Sequence, residues 1–212
     1  GLMGGRGEKT VNRGLNRATQ SKRQPGSSMK PLGAYSPSLE FNTITYSSFV
    51  LDAPITLADG KKYPKNSYSN SNMYVHKALE RSVNTVAVRL VNNLSPQKSF
   101  DFVTKRYGIS TLVESEKTKD GGVISDVTLS SMALGGTTHG VKVSEMCAAY
   151  ACFGNLGKYW KPTTYTIIKD TFGKTVLEQQ EKASTAIGED TANIMNEMMQ
   201  KVISGSQGTA RG

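Results

Sequence analysis

The sequence has little of the residue types that build the commonest metal and nucleophile sites. Its 212 residues include only two histidines, His76 and His139, and two cysteines, Cys147 and Cys152. Neither histidine has a Cys or His partner at ligand spacing, which excludes a classical zinc site. The cysteines point about 140° apart on a predicted helix, so we expect no disulfide and interpret both as buried apolar residues. No metal or other cofactor is therefore expected.

Long apolar runs and dense basic stripes are also missing. No segment approaches the ~18 apolar residues of a membrane-spanning helix, and no signal peptide opens the chain. Any membrane anchor is thus expected outside it. The net charge of +9 comes from Lys and Arg residues that are scattered rather than clustered. Because no aromatic residues alternate with a basic stripe, we expect no nucleic-acid partner, whereas an anionic phospholipid or cell wall polymer suits this surface.

Apolar periodicity predicts a mostly helical chain with minor β content. We expect "GLMGG" to end a strand, Pro37 to begin a new segment, and residues 49–72 to form a long surface excursion. A hairpin is expected around residues 170–173. Helices are predicted at 28 to about 36, on both sides of a break in "RSVNT", at 95–107, over "ISDVTLSSMALGG" and over "VKVSEMCAAYACFGNLG". The tail is also predicted to be helical, since Ile194, Met195, Met198 and Val202 have helical spacing, and its methionines are interpreted as core.

The stretch "RQPGSSMKP" brings a hydroxyl and an amine one helical turn apart. Ser27 and Lys30 are at positions i and i+3, which face the same side of a helix. A lysine whose ammonium is destabilised by burial or by a helix N-terminus can take the proton of a serine nucleophile. The Ser27 N–H is a candidate oxyanion donor. The alternative is structural: a serine after glycine is also a common helix N-cap.

A second hydroxyl occurs in "ERSVNTVA", at the predicted break between two helices. Ser82 could relay a proton to a leaving amine, and the amide of Asn84 could bind a peptide group through its donor and acceptor. Again a structural alternative exists, because Asn84 could cap a helix that starts at Thr85.

The order Ser-x-x-Lys then Ser-x-Asn resembles that of the penicillin-recognising serine enzymes. "NRATQSKRQPGSSMKPLGAY" is similar to the active-site segment of class A (bifunctional) penicillin-binding proteins, and "ALERSVNTVA" is similar to their second motif. The resemblance extends over nearly the whole chain. It implies a serine D-Ala-D-Ala transpeptidase that cross-links peptidoglycan, with Ser27 as nucleophile, Lys30 as general base, Ser82 as proton relay and Asn84 as substrate-amide ligand. β-Lactams would acylate Ser27.

The resemblance also implies the fold, an α+β domain of the β-lactamase/transpeptidase type with an antiparallel sheet flanked by helices. The third family motif, Lys-Thr/Ser-Gly, is absent from the sequence. We therefore expect residues 1–212 to be a partial domain, the helical lobe and active-site floor, truncated at both ends and inactive alone. A complementary C-terminal piece of the same protein should carry the third motif. An N-terminal segment would anchor the protein at the extracytoplasmic face of the bacterial membrane.

Two alternatives to the transpeptidase remain. A β-lactamase would need a Glu that activates water, and Glu114 and Glu116 lie in a polar, loop-like stretch without a convincing match. A non-catalytic penicillin sensor would bind the drug covalently without turnover. A β-lactamase would lose a penicillin label rapidly, whereas a transpeptidase and a sensor would both keep it. Turnover of wall peptides then distinguishes the transpeptidase from the sensor.

Overall fold

The structure, a computed structural model, describes residues 7–8, 12, 14–65, 68–180 and 182–211. The strand end expected at "GLMGG" lies outside these residues. The helices are α1 (Ser36–Glu40), α2 (Val75–Glu80), α3 (Asn84–Leu94), α4 (Pro96–Lys105), α5 (Leu129–Leu134), α6 (Val143–Gly154) and α7 (Glu189–Ser204).

The strands of the described residues form antiparallel pairs of two. The pairs are β1 (Lys22–Arg23) with β8 (Val141–Lys142), β2 (Phe49–Leu51) with β5 (Asn72–Tyr74), β3 (Ile55–Thr56) with β4 (Lys62–Tyr63), β6 (Glu116–Lys117) with β7 (Val123–Ile124), β9 (Lys158–Tyr159) with β12 (Ser184–Thr185), and β10 (Ile167–Lys169) with β11 (Thr175–Glu178). This mixture of a helical body and small antiparallel pairs agrees with the α+β prediction.

The helical run around Ser27 is longer than predicted. It begins as a 3₁₀ turn at Gly26–Met29, continues through a π-helical turn at Pro31–Tyr35 and ends as α1. The prediction that Pro37 begins a separate segment is wrong, because Pro37 lies in the first turn of α1. The run continues through it because the preceding π-helical turn, in which the Ser36 N–H bonds to the Pro31 carbonyl oxygen, leads directly into α1.

The core forms around the middle of this helical run and α3. The π-helical turn is buried throughout, and α3 is buried over more than half of its circumference, at Val86, Ala87, Val88, Leu90 and Val91. At Gly33 a side chain would overlap the carbonyl oxygen of Met132 in α5, so glycine allows the two helices to touch through their backbones. The helical run is thus in direct backbone contact with α5 at Gly33, one turn after Lys30.

Several predicted boundaries are confirmed. A break at residues 81–83 separates α2 from α3, and Ser95 caps α4 by accepting a hydrogen bond from the Lys98 N–H at 3.2 Å. Gly108 follows α4 with φ of 65°, and the β10–β11 hairpin encloses the expected turn. In α7, Met195 and Met198 are fully buried, as predicted for core residues.

Two predictions need correction. The surface excursion expected at 49–72 is largely exposed or half-buried, as predicted, but it also contains the unpredicted strands β2, β3, β4 and the start of β5. The interpretation of both cysteines as buried is wrong for Cys147, which is exposed, whereas Cys152 is buried. Because five residues on a helix rotate the side chain well away from the starting face, only one of the two can face the core.

Candidate active site

Ser27 and Lys30 lie on the same side of the helical run, one turn apart. Ser27 is exposed at the surface of the 3₁₀ turn, whereas the Lys30 residue is only 1% exposed. Lys30 Nζ lies 3.0 Å from Ser27 Oγ, a hydrogen-bonding distance. The helix therefore holds an accessible hydroxyl directly against a buried amine.

The break between α2 and α3 approaches the same amine from another direction. Lys30 Nζ lies 2.7 Å from the Ser82 carbonyl oxygen, 2.9 Å from Ser82 Oγ and 2.6 Å from Asn84 Oδ1. Ser82 has φ of 54°, in the left-handed region that non-glycine residues rarely adopt. Such local strain persists only where the surroundings hold it, and it is common at functional sites. The structure thus brings all four predicted site residues together around one nitrogen.

The capping alternatives are wrong for both motifs. The 3₁₀ turn has Pro25 at its N-cap and α3 has Val83, and neither makes a side-chain capping bond. The Asn84 side-chain oxygen accepts from Lys30 instead of from the backbone of α3. These side chains are therefore used in the site rather than at the helix ends.

Lys30 is surrounded by more acceptors than its ammonium has protons. Four oxygens lie within hydrogen-bonding distance of Nζ, but a charged lysine has three N–H donors and a neutral one has two. Burial lowers the pKa of Lys30 to about 8, because desolvation penalises the charged form. In the neutral amine, the two N–H groups can bind the Ser82 carbonyl and Asn84 Oδ1, which only accept. The lone pair is then left for a serine hydroxyl.

A cavity of about 450 Å³ opens beside this cluster. Its lining residues are Asp52, Tyr68, Ser69, Arg81, Ser82, Val83 and Asn84. No described residue accepts a hydrogen bond from Asn84 Nδ2, so this amide group can donate to a molecule in the cavity. The cavity is polar and reaches two of the four predicted site residues.

Asp52 is a site residue that sequence reasoning missed. It is buried, and it accepts hydrogen bonds from Thr85 Oγ1, in the first turn of α3, and from the Ser69 N–H at 2.8 Å. Burial alone would raise the pKa of Asp52, but these hydrogen bonds outweigh it and keep the pKa below its ordinary value. Asp52 therefore ties the start of α3 to the cavity wall. No periodicity or motif marks it, because its partners are distant in sequence.

No carboxylate of the described residues hydrogen-bonds to Ser27 or Lys30. Glu116 instead lies 2.8 Å from His139 Nε2, and Glu114 accepts from Gln97 Nε2 at 3.2 Å. The two acidic residues considered for water activation thus have other partners. Lys30 is therefore the ionisable side chain of the four-residue cluster.

Residues 3–212 match the family described as the penicillin binding protein transpeptidase domain. The chain belongs to this family.

Relatives agree with this assignment. The chain is 31% identical to penicillin-binding protein 1A of Clostridium tetani over 98% of its own length and 26% of that protein. It is 33% identical to penicillin-binding protein 4 of Bacillus subtilis, over 92% of this chain and 29% of the relative. The chain therefore spans between a quarter and a third of the length of these two relatives.

Solved structures support the fold. A peptidoglycan synthetase from Bifidobacterium adolescentis superposes with a TM-score of 0.70 at 21% identity, over 89% of this chain and 36% of that one. A peptidoglycan glycosyltransferase from Burkholderia ambifaria gives a TM-score of 0.66 at 17% identity, over 92% and 60%. The α+β fold of penicillin-binding proteins is thus confirmed.

Among the helices of the described residues, none has the length and apolar character needed to cross a bilayer.

Proposed function

We propose that this chain forms the nucleophile side of a peptidoglycan D,D-transpeptidase site, with Ser27 as the acylated residue. The observation that carries the proposal is the buried Lys30 amine, 3.0 Å from the exposed Ser27 hydroxyl and 2.9 Å from Ser82 Oγ. A base beneath a solvent-facing nucleophile, next to a second hydroxyl, is the arrangement that acyl transfer needs. The substrate would be a stem peptide ending in D-Ala-D-Ala.

Acylation begins with proton transfer from Ser27 Oγ to the neutral amine of Lys30. As the O–H bond breaks, Ser27 Oγ forms a bond to the carbonyl carbon of the penultimate D-Ala. The carbonyl oxygen becomes an oxyanion, for which the Ser27 N–H is the donor that this chain would contribute. Burial favours the neutral amine and so makes Lys30 a competent base near pH 8.

Collapse of the tetrahedral intermediate breaks the C–N bond and expels the terminal D-Ala as an amine. That amine needs a proton, which Ser82 Oγ donates while it takes one from Lys30 Nζ, 2.9 Å away. In the second half-reaction the amine of another stem peptide attacks the acyl carbon and loses a proton along the same route. Ser27 Oγ leaves as the hydroxyl, and a cross-link is formed.

Only one end of the Asn84 side-chain amide is available to bind the substrate. Its Oδ1 is held by Lys30 at 2.6 Å, so its Nδ2 is the atom available to the substrate. We infer that Nδ2 donates to a carbonyl of the bound peptide. A β-lactam would bind in the same place, and Ser27 would open its ring to give a stable acyl-enzyme.

The setting of the activity is also a proposal. Peptidoglycan lies outside the cytoplasmic membrane, so the domain would work at the extracytoplasmic face, held by an anchor elsewhere in the protein. The net charge of +9 suits contact with an anionic wall. The complementary segment with Lys-Thr/Ser-Gly stays a prediction.

The test is a time course of fluorescent-penicillin labelling on the full-length protein, with intact mass measured at each point. We expect one label per molecule, on Ser27, that persists for hours. Absence of label would contradict the proposal, and rapid loss of label would indicate a β-lactamase. Incubation with D-Ala-D-Ala stem peptides then separates enzyme from sensor, because only a transpeptidase releases D-Ala and forms cross-linked product.

A further inference from the structure

Residues 135–142, which we name the strap, run beside the residues that lead into Ser27. β1 and β8 pair antiparallel, with Arg23 opposite Val141. Next along the strap, a side chain added at Gly140 would lie 2.7 Å from backbone atoms of Arg23. At the far end, a side chain at Gly135 would overlap the carbonyl oxygen of Gly26. The strap therefore contacts the chain at both ends of residues 23–26.

Gln24 joins the middle of these two segments. Its Oε1 accepts from the Thr137 N–H at 2.7 Å and lies 3.2 Å from Thr137 Oγ1, while its Nε2 donates to the Thr137 carbonyl oxygen. The side-chain amide thus forms a two-point pair with the backbone of a single residue. Thr137 is only 3% exposed, so the contact joins the exposed Gln24 to a buried residue of the strap.

The strap itself is fixed by Asp126. This carboxylate is fully buried, and its Oδ1 accepts from the Thr138 N–H at 2.7 Å and from Thr138 Oγ1 at 2.9 Å. Its Oδ2 accepts from the Val113 N–H at 2.9 Å. Buried polar groups with several donors are held rigidly, because moving any donor leaves the charge unsatisfied. Asp126 thus makes the residue next to Thr137 a fixed point.

The two halves of the nucleophile–base pair are held in different ways. Lys30 is buried and bound by Ser82 and Asn84. Ser27 is an exposed residue of the 3₁₀ turn, two positions before the buried Met29, and the turn has no side-chain cap. Burial therefore fixes the base, whereas the turn that carries the nucleophile is held through its neighbours: Gly135 packs against Gly26, Tyr150 Oη donates to the Ser28 carbonyl oxygen at 2.7 Å, and Gln24 holds the residues just before the turn.

We propose that Gln24 is a positioning residue for Ser27, holding the nucleophile against Lys30 by clamping its turn to the Asp126-anchored strap. The inference rests on the proposed acylation of Ser27. A misplacement of about 1 Å caused far from the reacting atoms can cost on the order of 10²-fold in rate. Loss of the clamp should therefore slow acylation while leaving the cavity that receives the substrate intact.

The test compares Gln24→Ala with Gln20→Ala in the full-length protein. Gln20 is the matched control, because it is an exposed glutamine of the same loop whose Oε1 accepts from the nearby Asn16 N–H and, among the described residues, from no residue of the strap. Stopped-flow measurement with a penicillin gives the acylation rate constant and the dissociation constant of the initial complex separately. Mass spectrometry gives the final fraction acylated.

We expect Gln24→Ala to lower the acylation rate constant ~10- to 100-fold, with the dissociation constant and the final fraction acylated unchanged. Gln20→Ala should behave as the parent. A Gln24→Ala rate equal to that of the parent would overturn the inference. So would a lowered acylated fraction with a normal rate, since that result indicates lost folding rather than lost positioning.

A second measurement does not depend on penicillin. In a Ser27→Cys, Cys147→Ser background, the pH midpoint of alkylation by iodoacetamide reports how closely the new thiol lies to the Lys30 ammonium. Adding Gln24→Ala should raise this midpoint toward the ordinary thiol value of about 8.5, and an unmoved midpoint would overturn the inference. If the parent takes up no penicillin, the proposed function fails while this measurement still decides the role of Gln24.

Discussion

At the scale of single residues, two adjacent serines in the same turn have different surroundings. Ser27 Oγ lies 3.0 Å from Lys30 Nζ, whereas Ser28 Oγ donates to the Pro25 carbonyl oxygen at 2.6 Å. Only the Ser27 hydroxyl has a base beside it, although both residues are exposed. The site therefore offers a matched pair of substitutions.

We predict that Ser27→Ala abolishes covalent penicillin labelling and that Ser28→Ala does not. Neither substitution removes a helix cap, so the melting temperature should change little in both. Labelling is measured by gel fluorescence and intact mass. Uptake of label by Ser27→Ala at the rate of the parent would contradict the assignment of the nucleophile.

The lowered pKa of Lys30 predicts how acylation depends on pH. Because the base must be neutral, the acylation rate constant should rise about tenfold per pH unit below a midpoint near 8 and level off above it. Lys30→Ala should acylate slower by orders of magnitude and show no such midpoint. The rate constant is measured with a penicillin between pH 6 and 9.5; a parent profile that is flat over this range would rule out Lys30 as the base.

The same group affects stability, with a sign that follows from proton linkage. Burial lowers the pKa of Lys30 from 10.5 to about 8, so between these values the unfolded chain binds more protons than the folded one. The free energy of unfolding should therefore rise with pH in this window, by at most ~3 kcal/mol. Urea titrations give the free energy of unfolding of the parent and of Lys30→Met at pH 7.5 and at pH 10. The parent should gain stability relative to Lys30→Met at the higher pH, and an equal difference between the two proteins at both pH values would exclude this contribution.

At the scale of elements, close backbone contacts hold the helical run that carries Ser27 and Lys30. α5 approaches it at two points, Gly33 against Met132 and Gly135 against Gly26, and a side chain at either glycine would overlap a carbonyl oxygen. Gly135 also ends α5 with φ of 71°. This glycine thus meets a conformational and a steric requirement at once.

A pair of glycine substitutions separates the two requirements. Gly121 has φ of 84° but no atom within 4 Å of an added side chain. Both Gly121→Ala and Gly135→Ala should cost ~1–2 kcal/mol for the left-handed backbone. Gly135→Ala should cost a further ~1–3 kcal/mol for overpacking and should slow penicillin acylation. Urea titrations measure the free energy of unfolding of both variants. Equal losses in Gly121→Ala and Gly135→Ala would show that the close contact between Gly135 and Gly26 does not contribute to stability.

At the scale of the whole molecule, Arg106 connects parts of the chain that are far apart in sequence. Its guanidinium donates to Glu40 Oε1 at 3.2 Å and to the Ala186 carbonyl oxygen at 3.1 Å, and it lies 4.8 Å from the ring centre of Phe102. Glu40 Oε2 in turn accepts from the Gly188 N–H at 2.9 Å. The ends of α1 and α4 are thereby tied to the segment that begins α7.

We predict that Arg106→Ala lowers the free energy of unfolding by ~1–3 kcal/mol, because it leaves a partly buried carboxylate with one donor fewer and removes a cation–π contact. The neighbouring Lys105 forms an exposed i,i+4 pair with Asp101 at 3.0 Å. Lys105→Ala is the control and should cost ~0.3–0.5 kcal/mol. Thermal unfolding measures both, and equal effects would show that the connection does not stabilise the domain.

Local sequence by itself determined the parts of this protein that depend on near neighbours. The i,i+3 spacing put Ser27 and Lys30 on one side of a helix, and "RSVNT" predicted the break that carries Ser82. Apolar periodicity identified Met195 and Met198 as core. The prediction for Pro37 was wrong because a proline usually interrupts a helix, whereas here the helical run continues through it from a π-helical turn.

Tertiary structure alone decided how these pieces become a site. The pKa of Lys30 falls because the folded chain excludes water from it, and no local pattern encodes that burial. The approach of Ser82 and Asn84 to Lys30, the bond from Thr85 to Asp52, and the pairing of Gln24 with Thr137 all join residues more than 30 positions apart. Propensity and spacing act over a few residues, whereas such contacts exist only once the helices have packed.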